Sequence, residues 1–352
     1  MGFILMVRTV MLEKRRPSVL GLDIGGANVK AFHSDGIASS FPFAVWENPW
    51  GLTHTLQSVI GSLPNFQKLV VTMTAELCDC FQTKREGIGM VLDAVEQACS
   101  GHREVQVWQT IGRWVSTDQA RKEPLLTAAS NWNAFATWVG RNFSDSGNAI
   151  AIDIGSTTTD IIPLSKGVPI PLGHTDYDRL VARELIYSGI RRTPVSALVS
   201  EVPYRAGNCA VAAECFATTD DVYLVLGWQD EDGQNCDTSD GQPRTYDAAM
   251  VRLARMICAD LEVLEIQEVH RMAETIAEAQ KRIFLIALEE ISARFQGEVH
   301  TIIVAGEGEQ LVLRWLKDTR WSTTTTFAVG SLLTSSISES ICAYALTELA
   351  KS

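Results

Sequence analysis

Two segments of the sequence carry the same series of residue types, in which an apolar run ends at an aspartate and is followed by glycine. They are residues 19–30 (VLGLDIGGANVK) and residues 150–163 (IAIDIGSTTTDIIP). In each segment the apolar run predicts a buried strand that ends at Asp23 or Asp153. Because the arrangement occurs twice, it indicates a repeated structural unit and not an isolated turn.

The turn after each predicted strand combines glycine with side chains that can donate hydrogen bonds. Because glycine has no Cβ, an anion can closely approach the main-chain N–H groups of such a turn. The two aspartates could hold Mg²⁺ directly or through water, and two facing turns would clamp a polyphosphate. The predicted phosphate-binding residues are Gly25, Gly26, Asn28 and Lys30, then Gly155, Ser156, Thr157 and Thr158, and also Arg85 between the two turns.

A third strand with a glycine turn is predicted at residues 301–311 (TIIVAGEGEQL). Gly306 and Gly308 alternate here with Glu307 and Glu309. The carboxylates could accept hydrogen bonds from ribose hydroxyl groups, or they could bind the ammonium group of an amine substrate. Both readings stay open at this point.

These three turns, in this order, resemble the two phosphate-binding turns and the adenosine-binding turn of actins, sugar kinases and heat-shock chaperones. The resemblance implies an α/β fold with two ribonuclease-H-like domains around a central cleft. We expect the first domain at residues 18–145 and the second at residues 146–330, with a composition change at 144–148 between them. Residues 331–352 are expected to form a C-terminal helix that returns to the first domain.

The composition suits a protein with two cores. The chain has 352 residues, is 46% hydrophobic and carries a formal net charge of −12. Such an acidic surface argues against nucleic-acid or anionic-membrane partners, and no apolar run approaches the roughly 20 residues of a membrane span. Eight cysteines without a C-x-x-C pair favour reduced thiols and a cytoplasmic protein. We interpret residues 1–16 as a leader, with Met11 as a candidate start.

Strand-like and helix-like patterns alternate along the rest of the chain. Strands are expected at residues 69–73 and 105–108, with a helix at 89–98 between them. The polar segment 230–243 (DEDGQNCDTSDGQP) is expected to be a surface loop. Further helices are expected at residues 178–187, 247–261, 266–295 and 332–349.

Candidate catalytic and substrate-binding residues come from three segments between the turns, at residues 72–87, 128–133 and 173–192. Residues 72–87 (TMTAELCDCFQTKREG) contain the candidate bases Glu76, Asp79 and Lys84. For each of these charged residues taken singly, the alternative is a solvated surface position or a structural ion pair. The predicted substrate-binding residues are Asn131 and the exposed-type Trp132, then His174, Asp176 and Arg179, together with the four residues 306–309 of the third turn.

Four blocks of the sequence, TMTAELCDCFQTKREG, AASNWNA, GIRRTPV and ATTDDVYLVLG, resemble one branch of the hydantoinase/oxoprolinase-like group. It is the family of tetrahydromethanopterin-linked C1-transfer proteins, which includes the condensing enzyme of methanofuran biosynthesis. The resemblance runs from about residue 19 to the C-terminus. It implies a transferase that joins an aminomethyl-furanylmethyl diphosphate to the phenol oxygen of a tyramine or tyrosine derivative and releases pyrophosphate.

Under this resemblance the glycine turns would bind the substrate diphosphate, with Mg²⁺ at Asp23 and Asp153 and no requirement for ATP. Lys84 or Arg85 would favour phenolate, or Arg85 would bind the diphosphate, and Trp132 would stack on a substrate ring. Two alternatives stay open: a small-molecule kinase in which Asp153 activates a hydroxyl group, and a non-catalytic switch protein that binds nucleotide. Small molecules are the expected partners, and an oligomer is possible.

Overall fold

The computed structural model describes residues 17–99, 104–143 and 147–351. The predicted leader and residues 144–146 of the predicted domain junction lie outside these ranges. No helix within them is both long and apolar enough to cross a membrane.

The first half of the chain forms a six-stranded sheet. Its strands are β1 (Val19–Ile24), β2 (Asn28–His33), β3 (Ile37–Pro42), β4 (Lys68–Met73), β5 (Glu104–Trp108) and β6 (Trp114–Val115). Their order is β3-β2-β1-β4-β5-β6, in which β1, β2 and β3 are antiparallel and β1, β4 and β5 are parallel. All six residues of β1 are buried, as expected for a central strand that is covered on both faces.

The second half repeats this strand order. Its strands are β7 (Asn148–Ile154), β8 (Thr159–Ser165), β9 (Val168–Pro169), β10 (Leu185–Ile186), β13 (Thr301–Ala305) and β14 (Thr325–Ala328), while β11 (Glu201–Tyr204) and β12 (Gly207–Ala210) form a separate hairpin. The order is β10-β8-β7-β13-β14, with β9 also paired to β8. Again the first two strands form an antiparallel hairpin and the later strands run parallel to the first.

Thirteen α-helices within the described ranges connect and cover the sheets. They are α1 (Leu52–Gly61), α2 (Lys84–Ala98), α3 (Thr117–Lys122), α4 (Pro124–Thr127), α5 (Asn131–Asn142), α6 (Asp176–Val181), α7 (Thr219–Val225), α8 (Tyr246–Arg255), α9 (Ile266–Ser292), α10 (Glu309–Lys317), α11 (Val329–Leu332), α12 (Ser335–Glu339) and α13 (Ile341–Ala350). Short 3-10 helices lie at Pro49–Gly51, Ala75–Leu77, Val195–Ala197 and Arg320–Thr323.

Two helices lie between the sheets and join the halves into one molecule. Helix α5 packs on β7, β8 and β9 of the second sheet, although it precedes that sheet in the sequence. Helix α13 at the C-terminus packs on β1, β2 and β4 of the first sheet and on α5. Gly21 permits this contact, because a Cβ there would lie 2.3 Å from the carbonyl oxygen of Ala343. The domain limits given above stay a prediction.

Several predicted helices have different limits in the structure. The predicted helix 332–349 is three helices, α11, α12 and α13, because Thr334 and Ser340 lie at helix boundaries. The segment 178–187 contains the end of α6 and then strand β10, which pairs with β8. Helix α9 ends at Ser292, while α8 ends at Arg255. The segment 230–243 contains neither a helix nor a strand, as predicted.

Candidate functional site

The two glycine turns have the same backbone hydrogen bond. The Gly25 N–H donates to the Asn28 carbonyl oxygen at 2.9 Å, and the Gly155 N–H donates to the Thr158 carbonyl oxygen at 2.9 Å. Each turn therefore closes a hairpin, β1–β2 in the first half and β7–β8 in the second. The small side chains at these turns leave the remaining main-chain groups accessible to an anion.

The residue that faces the strand-end aspartate differs between the hairpins. Asp23 is paired with Lys30 across β1 and β2, whereas Asp153 is paired with Asp160 across β7 and β8. The hairpin β7–β8 thus brings two carboxylates together where β1–β2 has a carboxylate and an ammonium group. The charge of Asp160 is balanced by Arg179, whose Nη1 lies 2.6 Å from Oδ1 of Asp160.

The third turn supports the second hairpin from behind. Gly306 has a φ of +98°, and a Cβ there would lie 2.4 Å from Oδ1 of Asp153, so only glycine fits. The Gly308 N–H donates to the Ile154 carbonyl oxygen at 3.0 Å. Glu309 is buried and accepts hydrogen bonds from the Gly330 N–H and the Ser338 hydroxyl, both at 2.7 Å. The suggestion that Glu309 binds ribose or ammonium is therefore corrected, because its carboxylate is engaged within the fold.

The segment 189–192 (GIRR) lies directly against the second hairpin turn. The N–H groups of Arg191 and Arg192 both donate to the Ser156 carbonyl oxygen, at 3.0 and 2.9 Å. A Cβ on Gly189 would lie 2.4 Å from the Gly155 carbonyl oxygen, which explains why glycine begins this segment. The two arginines are consequently fixed at the edge of the cleft.

A small polar cavity of about 130 Å³ lies between the two hairpins. Asp23, Asp153 and Asp160 line it together with Lys30 and Cys342. Burial raises the pKa of Asp23 to about 6 and that of Asp153 to about 7, while the nearby Lys30 lowers both. Burial also raises the pKa of Asp160, against the opposing effect of Arg179.

The carboxylates of this polar cavity fit a Mg²⁺ ion that is shared with a phosphate ligand. Oδ1 of Asp23 is buried and has no hydrogen-bond partner among the described residues. This oxygen is therefore available to coordinate a metal ion. The described ranges contain no group of three or more His, Cys, Asp or Glu residues placed to hold a metal ion. Mg²⁺ typically needs only one or two protein carboxylates, since waters and substrate phosphates complete its octahedron.

A larger aromatic cavity of about 490 Å³ adjoins the polar cavity, and Thr74, Asn131 and Thr158 line both. Its aromatic and aliphatic walls are formed by Leu77, Trp46, Trp132, Leu185 and Tyr187.

Trp132 does not have the exposed position that the sequence suggested. Its side chain is 1% exposed, and the Arg179 guanidinium lies 4.1 Å from the centre of its ring. Arg179 is equally buried and contacts both Trp132 and Asp160. The ring therefore supports Arg179, and only part of it can meet a ligand.

The three candidate bases have different surroundings. Nζ of Lys84 donates to Oδ2 of Asp176 at 2.6 Å, an ion pair that joins α2 to α6 beside the aromatic cavity. Glu76 is 1% exposed, and burial raises its pKa to about 8. Asp79 is exposed and lines the aromatic cavity. Of the three, only Asp79 lines this cavity.

A third cavity of about 530 Å³ lies on the other side of the first hairpin turn. Asn28, Lys30 and Ser156 line both this cavity and the polar cavity, and Arg192 lines both this cavity and the aromatic one. Arg191 and Glu307 form an ion pair in its wall. The three cavities are thus parts of one cleft.

Most of the predicted site residues line this cleft, but seven do not. Arg85 is exposed and directs its guanidinium to the carbonyl oxygen of Arg121 at 3.4 Å, so its predicted phosphate contact is not supported. His174 is exposed outside the cavities. The predicted residues that do not line any of the three cavities are Glu76, Lys84, Arg85, His174, Gly306, Gly308 and Glu309.

The structure adds residues that the sequence analysis did not select. Asp160 could have been found from the hairpin register, because it occupies the position that Lys30 has in the first hairpin. Trp46 and Tyr187 gave no local signal, since each lies in a segment without a distinctive pattern. Both approach the cleft only through the tertiary structure.

The fold and the cleft define a two-part α/β protein with two matching glycine hairpins at the cleft, which confirms the predicted fold class. A solved structure of acetone carboxylase has the same fold, with a TM-score of 0.51 and 11% identity, over 94% of this chain and 70% of that one. The chain belongs to the hydantoinase/oxoprolinase family, which matches residues 68–344.

Two relatives bear the name (4-{4-[2-(gamma-L-glutamylamino)ethyl]phenoxymethyl}furan-2-yl)methanamine synthase. The protein of Methanocaldococcus jannaschii is 34% identical over 297 residues, which is 84% of this chain and 87% of that protein. The protein of Methanococcus vannielii is 32% identical over 177 residues, which is 50% of this chain and 78% of that protein. Both are named as enzymes, so this chain is a homologue of a synthase and the predicted family is confirmed.

Proposed function

We propose that the protein joins an aminomethyl-furanylmethyl diphosphate to the phenol oxygen of a tyramine derivative and releases pyrophosphate. The relatives are named for a product in which a phenoxymethyl group links a furan methanamine to such a phenol. The product would serve as a precursor of a methanofuran-type carrier. The observation that carries the proposal is the pair of matching hairpin turns around the polar cavity.

The diphosphate would lie between the two turns. The main-chain N–H groups there and the side chains of Asn28, Ser156 and Thr157 supply donors, while Lys30 supplies a positive charge. A bound Mg²⁺ at Asp23 and Asp153 would neutralise charge on the phosphate oxygens. Asp160 adds no unpaired negative charge beside the diphosphate, because its carboxylate already pairs with Arg179.

The aromatic cavity would hold the furan and the phenol. Thr74 and Thr158 line both the polar and the aromatic cavity, so a CH₂ group attached to a diphosphate between the turns would lie at the entrance to the aromatic cavity. The phenol oxygen forms a bond to that CH₂ carbon, and the bond from the carbon to the diphosphate oxygen breaks. The electron-rich furan stabilises positive charge at the CH₂ carbon as the leaving group departs.

Asp79 is the proposed base that takes the phenol proton. Asp79 lines the aromatic cavity and is exposed, so its carboxylate is accessible to a phenol bound there. Lys84 is engaged by Asp176, so in this proposal it holds the wall of the cavity. Glu76 lies behind the cavity wall, where its buried carboxyl group is protonated below a pKa of about 8.

The test is an incubation of the purified protein with Mg²⁺, the furanylmethyl diphosphate and tyramine or its γ-glutamyl derivative, with and without ATP. The proposal expects the ether, detected by mass, and an equal amount of pyrophosphate without ATP. Asp79→Asn should lower turnover by about a hundredfold, as loss of a general base typically does, and Asp318→Asn on the exposed end of α10 should not. ATP consumption without ether formation would replace the proposal with a kinase.

A further inference from the structure

The third cavity has walls of a different kind from the aromatic cavity. None of the described residues that line it is aromatic, and none is Leu, Ile, Val or Met. Most of its lining side chains are charged or small and polar, and they come from both halves of the chain. A flat aromatic ring in this space would gain little stacking or apolar contact, and it would separate charged groups from water without replacing their partners.

Charges of both signs face this cavity in pairs. Arg191 pairs with Glu307, and Nη1 of Arg192 lies 3.9 Å from Oδ2 of Asp237. Arg191 and Glu307 are partly exposed, at 33% and 21% of their side chains, so both can still bind a ligand. With Lys30 and Glu339, which also line it, the cavity presents cations and carboxylates side by side, so it is complementary to a ligand that carries one charge of each sign.

The wall behind these pairs is held in place by a buried ionic network. Asp220 accepts two hydrogen bonds from the Arg244 guanidinium, at 2.6 and 2.7 Å. Asp221 accepts from Nε of Arg252 at 2.7 Å, and Arg252 also donates to Asp240 at 3.1 Å. The network anchors the loop at residues 230–243, which carries Asp237, onto helix α7. The network therefore holds the loop that carries Asp237 beside the cavity, while the Asp237 side chain itself stays exposed.

We propose that the third cavity binds an α-amino acid group, with Arg191 and Arg192 holding its carboxylate and Glu307 and Asp237 holding its ammonium. Resting on the proposed function, this group would be the glutamyl end of the phenolic acceptor. Arg192 connects the two sites, because it lines both cavities and its guanidinium lies 4.8 Å from the centre of the Trp46 ring. A phenol in the aromatic cavity could then extend past Arg192 into the third cavity.

Calorimetric titration of the protein with γ-glutamyltyramine, tyramine, L-glutamate and ADP tests this site without any turnover. We expect γ-glutamyltyramine to bind at least about tenfold more tightly than tyramine, because charge-assisted hydrogen bonds to both ends are gained. Arg191→Gln should remove most of this preference, while Arg191→Lys should keep part of it. L-Glutamate should bind the wild-type protein and compete with γ-glutamyltyramine, which distinguishes a general amino acid site from one that needs the attached phenol.

The matched control is Arg183→Gln, which breaks an ion pair with Glu290 (2.9 Å) on the surface and outside the cavities. It should keep the preference. If Arg191→Gln does not fold, as judged by circular dichroism, Glu307→Gln provides the second variant and should also reduce the preference. Equal affinity of the wild-type protein for γ-glutamyltyramine and tyramine would overturn the site, as would ADP binding that Arg191→Gln abolishes. A kept preference without ether formation would overturn only the proposed reaction.

Discussion

The hairpins β1–β2 and β7–β8 share one backbone design but differ in how their charges are balanced. Both close with the same hydrogen bond from a glycine N–H, and both end the first strand at an aspartate. In the first hairpin the opposite residue is Lys30, whose charge remains at the polar cavity. In the second it is Asp160, and a distant residue, Arg179, supplies the cation. The residue opposite the aspartate is thus a cation at the polar cavity in one copy and part of a buried ionic contact in the other.

The comparison shows that a repeated motif does not give its copies equal roles. Lys30 lowers the pKa of both Asp23 and Asp153, so the cation of the first hairpin acts on both. Arg179 is 1% exposed, lies against Trp132 and is directed to Asp160. Its positive charge is paired with Asp160, so the main cation for a ligand in the polar cavity would be Lys30.

The largest expected effect concerns what the hairpins share. Asp23→Asn and Asp153→Asn should each lower pyrophosphate release by about a hundredfold to a thousandfold, because each removes charge that would position a metal on the leaving group. Steady-state assays at saturating Mg²⁺ measure this, with Asp318→Asn on the exposed surface as the control. If one variant kept most of its turnover, the two hairpins would not be equivalent even at their aspartates.

The next prediction concerns the two cations. Arg179→Met should lower the free energy of unfolding by about 3–5 kcal/mol, because it leaves Asp160 buried without its partner. Lys30→Met should change stability by less than about 1 kcal/mol, since its side chain is only partly buried, but it should weaken pyrophosphate binding about tenfold. Urea unfolding and calorimetric titration measure the two quantities. Equal destabilisation by both variants would contradict the assignment of different roles.

The smallest expected effect is a difference in pH dependence between the two aspartates. Both pKa values are raised above the usual value, so the folded protein holds protons that the unfolded chain has lost. The stability that these two groups contribute without metal is therefore present at low pH and is lost as pH rises through about 6 for Asp23 and about 7 for Asp153. Asp153→Asn should reduce this fall more than Asp23→Asn, because the pKa of Asp153 is raised further.

Urea unfolding in EDTA between pH 5 and pH 8 measures that difference, and the Asp318→Asn variant, on the exposed end of α10, serves as its control. Mg²⁺ with pyrophosphate should restore stability at the higher pH, because a bound cation favours the charged carboxylates. Stability that rises with pH in EDTA would contradict the placement of these carboxyl groups.

Much of the architecture could be predicted from local patterns. Apolar runs followed by glycine identified β1, β7 and β13, and the repeat predicted the two halves. The helical periodicity of residues 266–295 predicted α9 to within a few residues of its end. The C-terminal helices were less predictable, because Thr334 and Ser340 end and begin helices through side-chain and backbone contacts that apolar periodicity does not reveal.

The site was harder to predict, since its residues depend on partners far along the chain. Glu309 looked available for a ligand in the sequence, but in the fold its carboxylate accepts hydrogen bonds from Gly330 and Ser338. Trp132 looked exposed, but Arg179 covers it. In both cases the residue type was compatible with ligand binding, but contacts with residues distant in the sequence engage the side chain within the fold.

The sequence by itself determined the two glycine hairpins, their aspartates and the α/β class, because turn geometry and strand burial depend on residues close together in the chain. The tertiary structure decided which charges face the cleft, since those pairs join distant segments. Lys84 meets Asp176 from 92 residues away, and Cys342 reaches Asp153 from 189. Such contacts depend on how the sheets, α5 and α13 pack, which no local pattern of residue types records.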